Sequence, residues 1–208
     1  MLTRLTWLTV TILIHMKKLI FATHNQGKLK EMKEMLKGLP VEVLSATEAG
    51  IIEDIEETGT TCRENSLIKS KYVAEKTGEW AVADDTGLCI DALGGKPGVY
   101  SARWTNGAPH ADFTLDKMKG EENRQAYFVS VASLVKPGGE EYVFEGKIDG
   151  QITLDKRGED RPKLPYDLIF QPDGFEKTFS EMSDEQKNSL SHRGKAFRRL
   201  KEFLQKEL

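Results

Sequence analysis

The sequence predicts an α/β fold in which a mixed β-sheet is flanked by helices, and three observations carry that prediction. A short apolar run, "KLIFAT" (residues 18–23), leads through the polar, Gly-containing "HNQGK" into apolar residues at helical spacing. A second helical stretch is followed at once by another strand-like run, "EWAVAD" (79–84). Finally, "QAYFVSVASLV" (125–135) and "EYVFEGKIDGQITL" (141–154) alternate in polarity and read as neighbouring antiparallel strands, which makes the sheet mixed.

Taken in order, the first helix carries Leu29, Met32, Met35, Leu36 and Leu39 and is ended by Gly38 and Pro40. The second is expected from about Thr61 to Lys76, with Thr61 and Glu64 in capping-box spacing and Gly78 as its stop. In "WAVADDTGL" (80–88) the strand is expected to emerge from the core at Asp84 and Asp85 and to reach a turn at Thr86-Gly87. A Gly-rich loop region and a helix over "ADFTLDKMKG" precede the two long strands. After the polar loop "DKRGEDRPKLP", "YDLIF" (166–170) reads as a strand. One final helix follows, capped by Ser183 and Gln186, with Leu190, Phe197, Leu200 and Phe203 on its apolar side.

At 208 residues the chain suits one domain, expected over 16–208. Residues 1–15, "MLTRLTWLTVTILIH", are too short to span a membrane and lack a small-residue cleavage site, so they read as an appendage, with translation able to start at Met16. The formal net charge of -3 supplies no basic field for a nucleic-acid polymer, so any anion site is local. Cys62 and Cys89 form no CxxC pair, which argues against a zinc site or disulfide scaffold and fits a reducing cytoplasm.

Three stretches carry candidate chemistry. "THNQGK" (Thr23, His24, Asn25, Gln26, Gly27 and Lys28) joins a strand to a helix N-terminus, where backbone N-H groups, a small residue and a lysine suit phosphate; an ordinary polar connection fits equally well. In "DIEETGTTCRENSLIKS", Glu56 and Glu57 precede the second helix, while Asn65 and Lys69 share one of its faces close to the Asp84/Asp85 strand. "KNSLSHR" holds Lys187, His192 and Arg193; a basic helical face is ordinarily a solvated one, but a histidine next to an arginine also suits reading the edge of a ring by hydrogen bonds.

Together "THNQGK", "EETG", "ENSLIKS", "ADDTGL", "GGKPGVYSARW", "FQPDGFEKTFSEM" and "KNSLSHR", in this order, resemble the inosine/xanthosine triphosphate pyrophosphatase family over essentially all of 16–208. The resemblance implies an elongated α/β molecule whose two lobes enclose a central cleft, a homodimer, and Mg²⁺-dependent cleavage of a noncanonical purine triphosphate (ITP, dITP or XTP) to the monophosphate and pyrophosphate. It implies Glu57 and Asp85 as metal-linked carboxylates and Asp85 also as general base; strand alternation points Asp84 the opposite way, to support the turn or the groups around the metal. Lys28, Lys69 and the loop from Thr23 would hold phosphates, with Thr86, Lys187, His192 and Arg193 gripping the nucleotide. No membrane or nucleic-acid partner is implied.

One element departs from the family pattern. Where the family reads Phe-Gly-Tyr/Trp-Asp-Pro, this chain has Leu164, Pro165, Tyr166, Asp167 and Leu168. A stacking aromatic and a flexible glycine are thereby lost, while Tyr166 and Asp167 remain. A pyrophosphatase acting on modified pyrimidine nucleotides stays open as an alternative on this ground. A non-catalytic nucleotide sensor is disfavoured by the intact acidic set.

Overall fold

The computed structural model describes residues 16–105, 107–161 and 164–208; the expected N-terminal appendage lies outside the described residues. Strands β1 (Lys17–Phe21) and β2 (Val41–Ser45) flank helix α1 (Gln26–Met35), and helix α2 (Cys62–Thr77) leads into β3 (Trp80–Ile90). Then come β4 (Lys96–Gly98), α3 (His110–Lys117), β5 (Gln125–Val135), β6 (Glu141–Ile152) and β7 (Phe170–Pro172), followed by α4 (Asp184–Leu190) and α5 (His192–Glu207). The sheet runs β2-β1-β3-β5-β6-β7, with β4 paired to β3. It is mixed, as expected: β1 pairs parallel with β2 and β3, while the β3-β5, β5-β6 and β6-β7 pairs are antiparallel.

Alternation along the strands sorts the core. Leu19, Phe21 and Val82 face α1 and α5, where they join Leu29, Met32, Phe197, Leu200 and Leu204. Ile20, Ala22, Ala81 and Ala83 face α2 and meet Val73 and Ala74. A separate cluster around Leu88, Ile90, Phe128, Phe170 and Phe179 fills the far end of the sheet. No helix among the described residues is long and apolar enough to cross a membrane.

Four elements differ from expectation, each for a local reason. Strand β3 does not turn at Thr86-Gly87 but runs on to Ile90, paired with β5 throughout. Gly87 is there because β4 lies against it: a Cβ would stand 2.9 Å from the Gly98 carbonyl oxygen. "YDLIF" is mostly turn, because Asp167 N donates to Leu164 O at 3.1 Å and Pro165 occupies the second position of that turn, where its fixed φ is favoured; only Phe170 joins β7. The single C-terminal helix is two helices. Ser191, extended at φ -66 and ψ 159, ends α4 and caps α5 by accepting from Gly194 N at 3.1 Å. Strand β2 had no counterpart in the sequence reading. The capping box at Thr61 and Glu64 is present, as is the Gly78 stop in the left-handed region.

Candidate active site

Alternation on β3 decides what each of the two adjacent carboxylates can do. Asp84 faces α1 and α5, where its Oδ1 lies 3.0 Å from Lys28 Nζ and its Oδ2 accepts from Arg193 Nε at 3.2 Å. Arg193 also donates to Glu31 at 2.9 Å. Burial alone would raise the Asp84 pKa, but these cations outweigh it and hold the carboxyl well below the usual carboxylate range. Asp84 is thus a fixed anion that organises two cations, not a turn residue.

Asp85 faces α2 and the opposite wall. Its Oδ1 is 3.7 Å from Lys69 Nζ, and Asn65 Nδ2 approaches its Oδ2 at 3.4 Å. Burial pushes its pKa up and Glu57 adds to that, against the pull of Lys69, so Asp85 is the more basic of the pair. Lys69 stands between the acids: it donates to Glu57 Oε1 at 2.7 Å and to the Asp84 carbonyl at 2.8 Å. Burial opposes its charge, but Asp85 and Glu57 overcome this and raise its pKa.

Glu57, Lys69, Asp85 and Arg193 line a cleft of about 1200 Å³, with Asp84 behind them. Thr23, His24, Asn25 and Lys28 border it from the β1-α1 connection. The expected anion cradle of helix N-H groups is only partly available, because Asn25 Oδ1 caps α1 by accepting from Gly27 N at 2.9 Å and Lys28 N at 3.3 Å. Gln26 and Gly27 do not line the cleft. His24 is tied to Thr47 Oγ1 at 3.0 Å and the Glu53 carbonyl at 3.3 Å. Burial lowers the Lys28 pKa, although the lysine stays paired with Asp84.

The other end of the cleft combines aromatic and apolar side chains with a buried ion pair. Leu164, Pro165, Tyr166 and Asp167 line it with Lys187 and His192. His192 stacks on Phe128 at 4.5 Å with an interplanar angle of 15°. Its Nδ1 is buried without a hydrogen-bond partner among the described residues, and burial with the nearby Arg193 and Lys187 keeps its pKa well below the ordinary value. Lys187 and Asp167 form a buried ion pair at 2.7 Å. Tyr166 donates to the Ser101 carbonyl at 2.8 Å. Thr86, also on the cleft wall, contacts Asp84 Oδ2 at 3.3 Å and Ser130 Oγ at 3.2 Å.

The structure therefore brings the residues expected at phosphate and base to one cleft, Gln26 and Gly27 excepted. The sequence reading assigned no part to Glu31, which pairs with Arg193, or to Arg103, Phe128 and Arg161, which border the cleft. Glu31 lies one turn from Lys28 on α1, a spacing that places both on one face, and Arg103 sits in the quoted "SARW". Phe128 and Arg161 left no local signal, since alternation and loop polarity explain them equally well. As to metals, Glu57 and Asp85 offer hard carboxylate oxygens converging on one ammonium. Two such ligands suit a divalent cation that completes its shell with water and phosphate oxygens. Among the described residues no group of three His, Cys, Asp or Glu side chains is arranged to hold a metal.

Comparison with known proteins follows the same outline. A model of the Ham1 family matches residues 19–203. A dITP/XTP pyrophosphatase of Caldanaerobacter subterraneus subsp. tengcongensis is 44% identical over 200 residues, covering 93% of this chain and 98% of that protein. The dITP/XTP pyrophosphatase of Bacillus subtilis is 40% identical, over 93% of this chain and 100% of its own length. The solved structure of a HAM1 protein from Coxiella burnetii matches with a TM-score of 0.84 at 34% identity, covering 92% of this chain and 100% of that one. With the family model spanning β1 to α5 and the relatives matched nearly end to end, the chain belongs to the Ham1 family.

Proposed function

We propose that this protein hydrolyses noncanonical purine triphosphates, ITP, dITP and XTP, to the monophosphate and pyrophosphate, with Mg²⁺ as cofactor. The observation that carries the reading is the placement of Lys69 between Glu57 and Asp85, beside Lys28, in a cleft whose far end sets Leu164 and Tyr166 beside His192 and Lys187. A triphosphate laid along that cleft has its charge among lysines and carboxylates and its base near His192. The names of the relatives, dITP/XTP pyrophosphatase, support the same substrate class.

In this reading Asp85 accepts the proton of the water that attacks the α-phosphorus, and its raised pKa makes it the better base of the acidic pair. Lys69 and Lys28 neutralise the phosphates, and Asp84 keeps Lys28 and Arg193 in place. Glu57 and Asp85 would hold Mg²⁺, which when bound would supply further neutralisation of the leaving pyrophosphate. Arg193 spends three nitrogens on Asp84, Glu31 and Thr86, which leaves His192 Nδ1 and the ammonium donors of Lys187 that are not spent on Asp167 to meet the base. A neutral imidazole can donate or accept, so rejection of the 6-amino group of adenine falls to Lys187, which only donates and suits the 6-oxo group of hypoxanthine and xanthine.

The same reading includes a homodimer in the cytoplasm, supported by the family resemblance and by two cysteines that are both unbridged. Product analysis with ITP tests the chemistry. IMP and pyrophosphate are expected; IDP and phosphate, or no product, would overturn it.

A further inference from the structure

The charges at the phosphate end are closely matched. Lys28, Lys69, Arg103 and Arg193 face Glu31, Glu57, Asp84 and Asp85. A triphosphate brings more negative charge than one divalent cation removes, so its binding calls for a protein cation that can leave its carboxylate.

Three of the four are poorly placed to leave. The Arg193 side chain is 7% exposed and divided among Asp84, Glu31 and Thr86. Lys69, 12% exposed, holds Glu57, the Asp84 carbonyl and the Asp85 carboxylate together. Lys28 is 20% exposed, but its partner Asp84 is 1% exposed, and departure would weaken the pairing of a buried anion. Arg103 differs on every count. Its side chain is 47% exposed, its one carboxylate partner among the described residues is Glu57, through Oε2 at 3.1 Å, and it borders the cleft. Its guanidinium rests 5.3 Å from the centre of the Tyr100 ring, which steadies it without using its N-H groups.

We propose that Arg103 is a substrate-binding residue that passes from Glu57 to the terminal phosphates when Glu57 engages the metal. The proposal rests on the triphosphate reading above. Glu57 gives Oε1 to Lys69 and Oε2 to Arg103, so engagement of Oε2 frees Arg103 and leaves the Lys69 contact intact. A planar guanidinium then matches two phosphate oxygens at once, which a lysine at the same place would not do. Arg103 therefore competes with the metal in the empty site and assists it in the loaded one.

This double role gives a signature that loss of structure would not. Two affinities are measured on the full chain and on Arg103→Gln and Arg103→Lys: Mn²⁺ alone, by paramagnetic resonance, and inorganic tripolyphosphate with Mg²⁺, by calorimetry. Arg103→Gln is expected to bind Mn²⁺ more tightly and tripolyphosphate about tenfold or more weakly, with an unchanged thermal midpoint. Arg103→Lys should recover part of the tripolyphosphate affinity. Unchanged tripolyphosphate affinity in Arg103→Gln, or weaker Mn²⁺ binding, overturns the assignment of Arg103. Failure of the unmodified protein to bind tripolyphosphate removes the triphosphate reading and this proposal with it.

Discussion

Asp84 and Arg193 stand 109 residues apart in the chain, and Arg193 Nε reaches Asp84 Oδ2 at 3.2 Å across the face of the sheet. With Lys28 on the other oxygen, the carboxylate ties β3 to α1 and to the start of α5. Asp84→Asn leaves two largely buried cations without their shared anion, a change that typically costs about 3 to 5 kcal/mol. Thermal unfolding followed by circular dichroism should show a midpoint lower by roughly 6 to 20 °C for a domain of this size. An unchanged midpoint would show that Glu31 alone holds Arg193.

Asp85→Asn is expected to behave in the opposite way. Burial already works against the Asp85 charge, so its removal weakens the fold little. Steady-state pyrophosphate release should fall by about 10²-fold or more if Asp85 is the general base. Full activity in this variant would move the base elsewhere, and a large drop in midpoint would make Asp85 a structural anion like its neighbour.

The contrast between these neighbours also marks how far the sequence alone could be read. Strand periodicity shows that Asp84 and Asp85 face opposite ways, and helical spacing puts Asn65 and Lys69 on one face; both relations hold in the structure. Other features turn on contacts distant in sequence. Gly87 looked like a turn residue because its reason, the backbone of β4, lies eleven residues away. The break at Ser191 was hidden because serine is tolerated inside helices, although the same serine is a favoured cap. Glu31 and Arg103 are surface-like in pattern and gain meaning only when α5 and the Glu57 loop reach them.

His192 should leave a mark on stability against pH. Its folded pKa lies well below the unfolded value of about 6.5, so the unfolded chain binds the extra proton as pH falls through that range. Folding therefore weakens on acidification below pH 6.5, by up to about 1.4 kcal/mol per unit from this one group. Denaturant unfolding at pH 7 and pH 5 should show a smaller loss in His192→Gln than in the unmodified protein. Equal losses would mean that His192 is protonated in the folded cleft.

Leu164 and Pro165 line the proposed base end, where the family pattern has an aromatic and a glycine. A ring stacked on a base contributes roughly 1 to 3 kcal/mol, so Leu164→Phe combined with Pro165→Gly should lower KM for ITP about fivefold or more. The effect on kcat should be smaller, because stacking is alike in ground and transition states. A KM that stays the same would mean that the base rests elsewhere.

The central claim is selection of 6-oxo purine triphosphates by donor groups at the base end of the cleft. Its most direct test is kcat/KM for ITP and XTP beside ATP, GTP and UTP, measured by pyrophosphate release with Mg²⁺ on the full chain. ITP and XTP are expected to exceed ATP by about 10²-fold or more, since adenine would set its amino group against the ammonium of Lys187. Equal turnover of ITP and ATP, or a preference for UTP, would contradict the account of the base end while leaving the roles of Glu57, Lys69 and Asp85 in phosphate chemistry to stand.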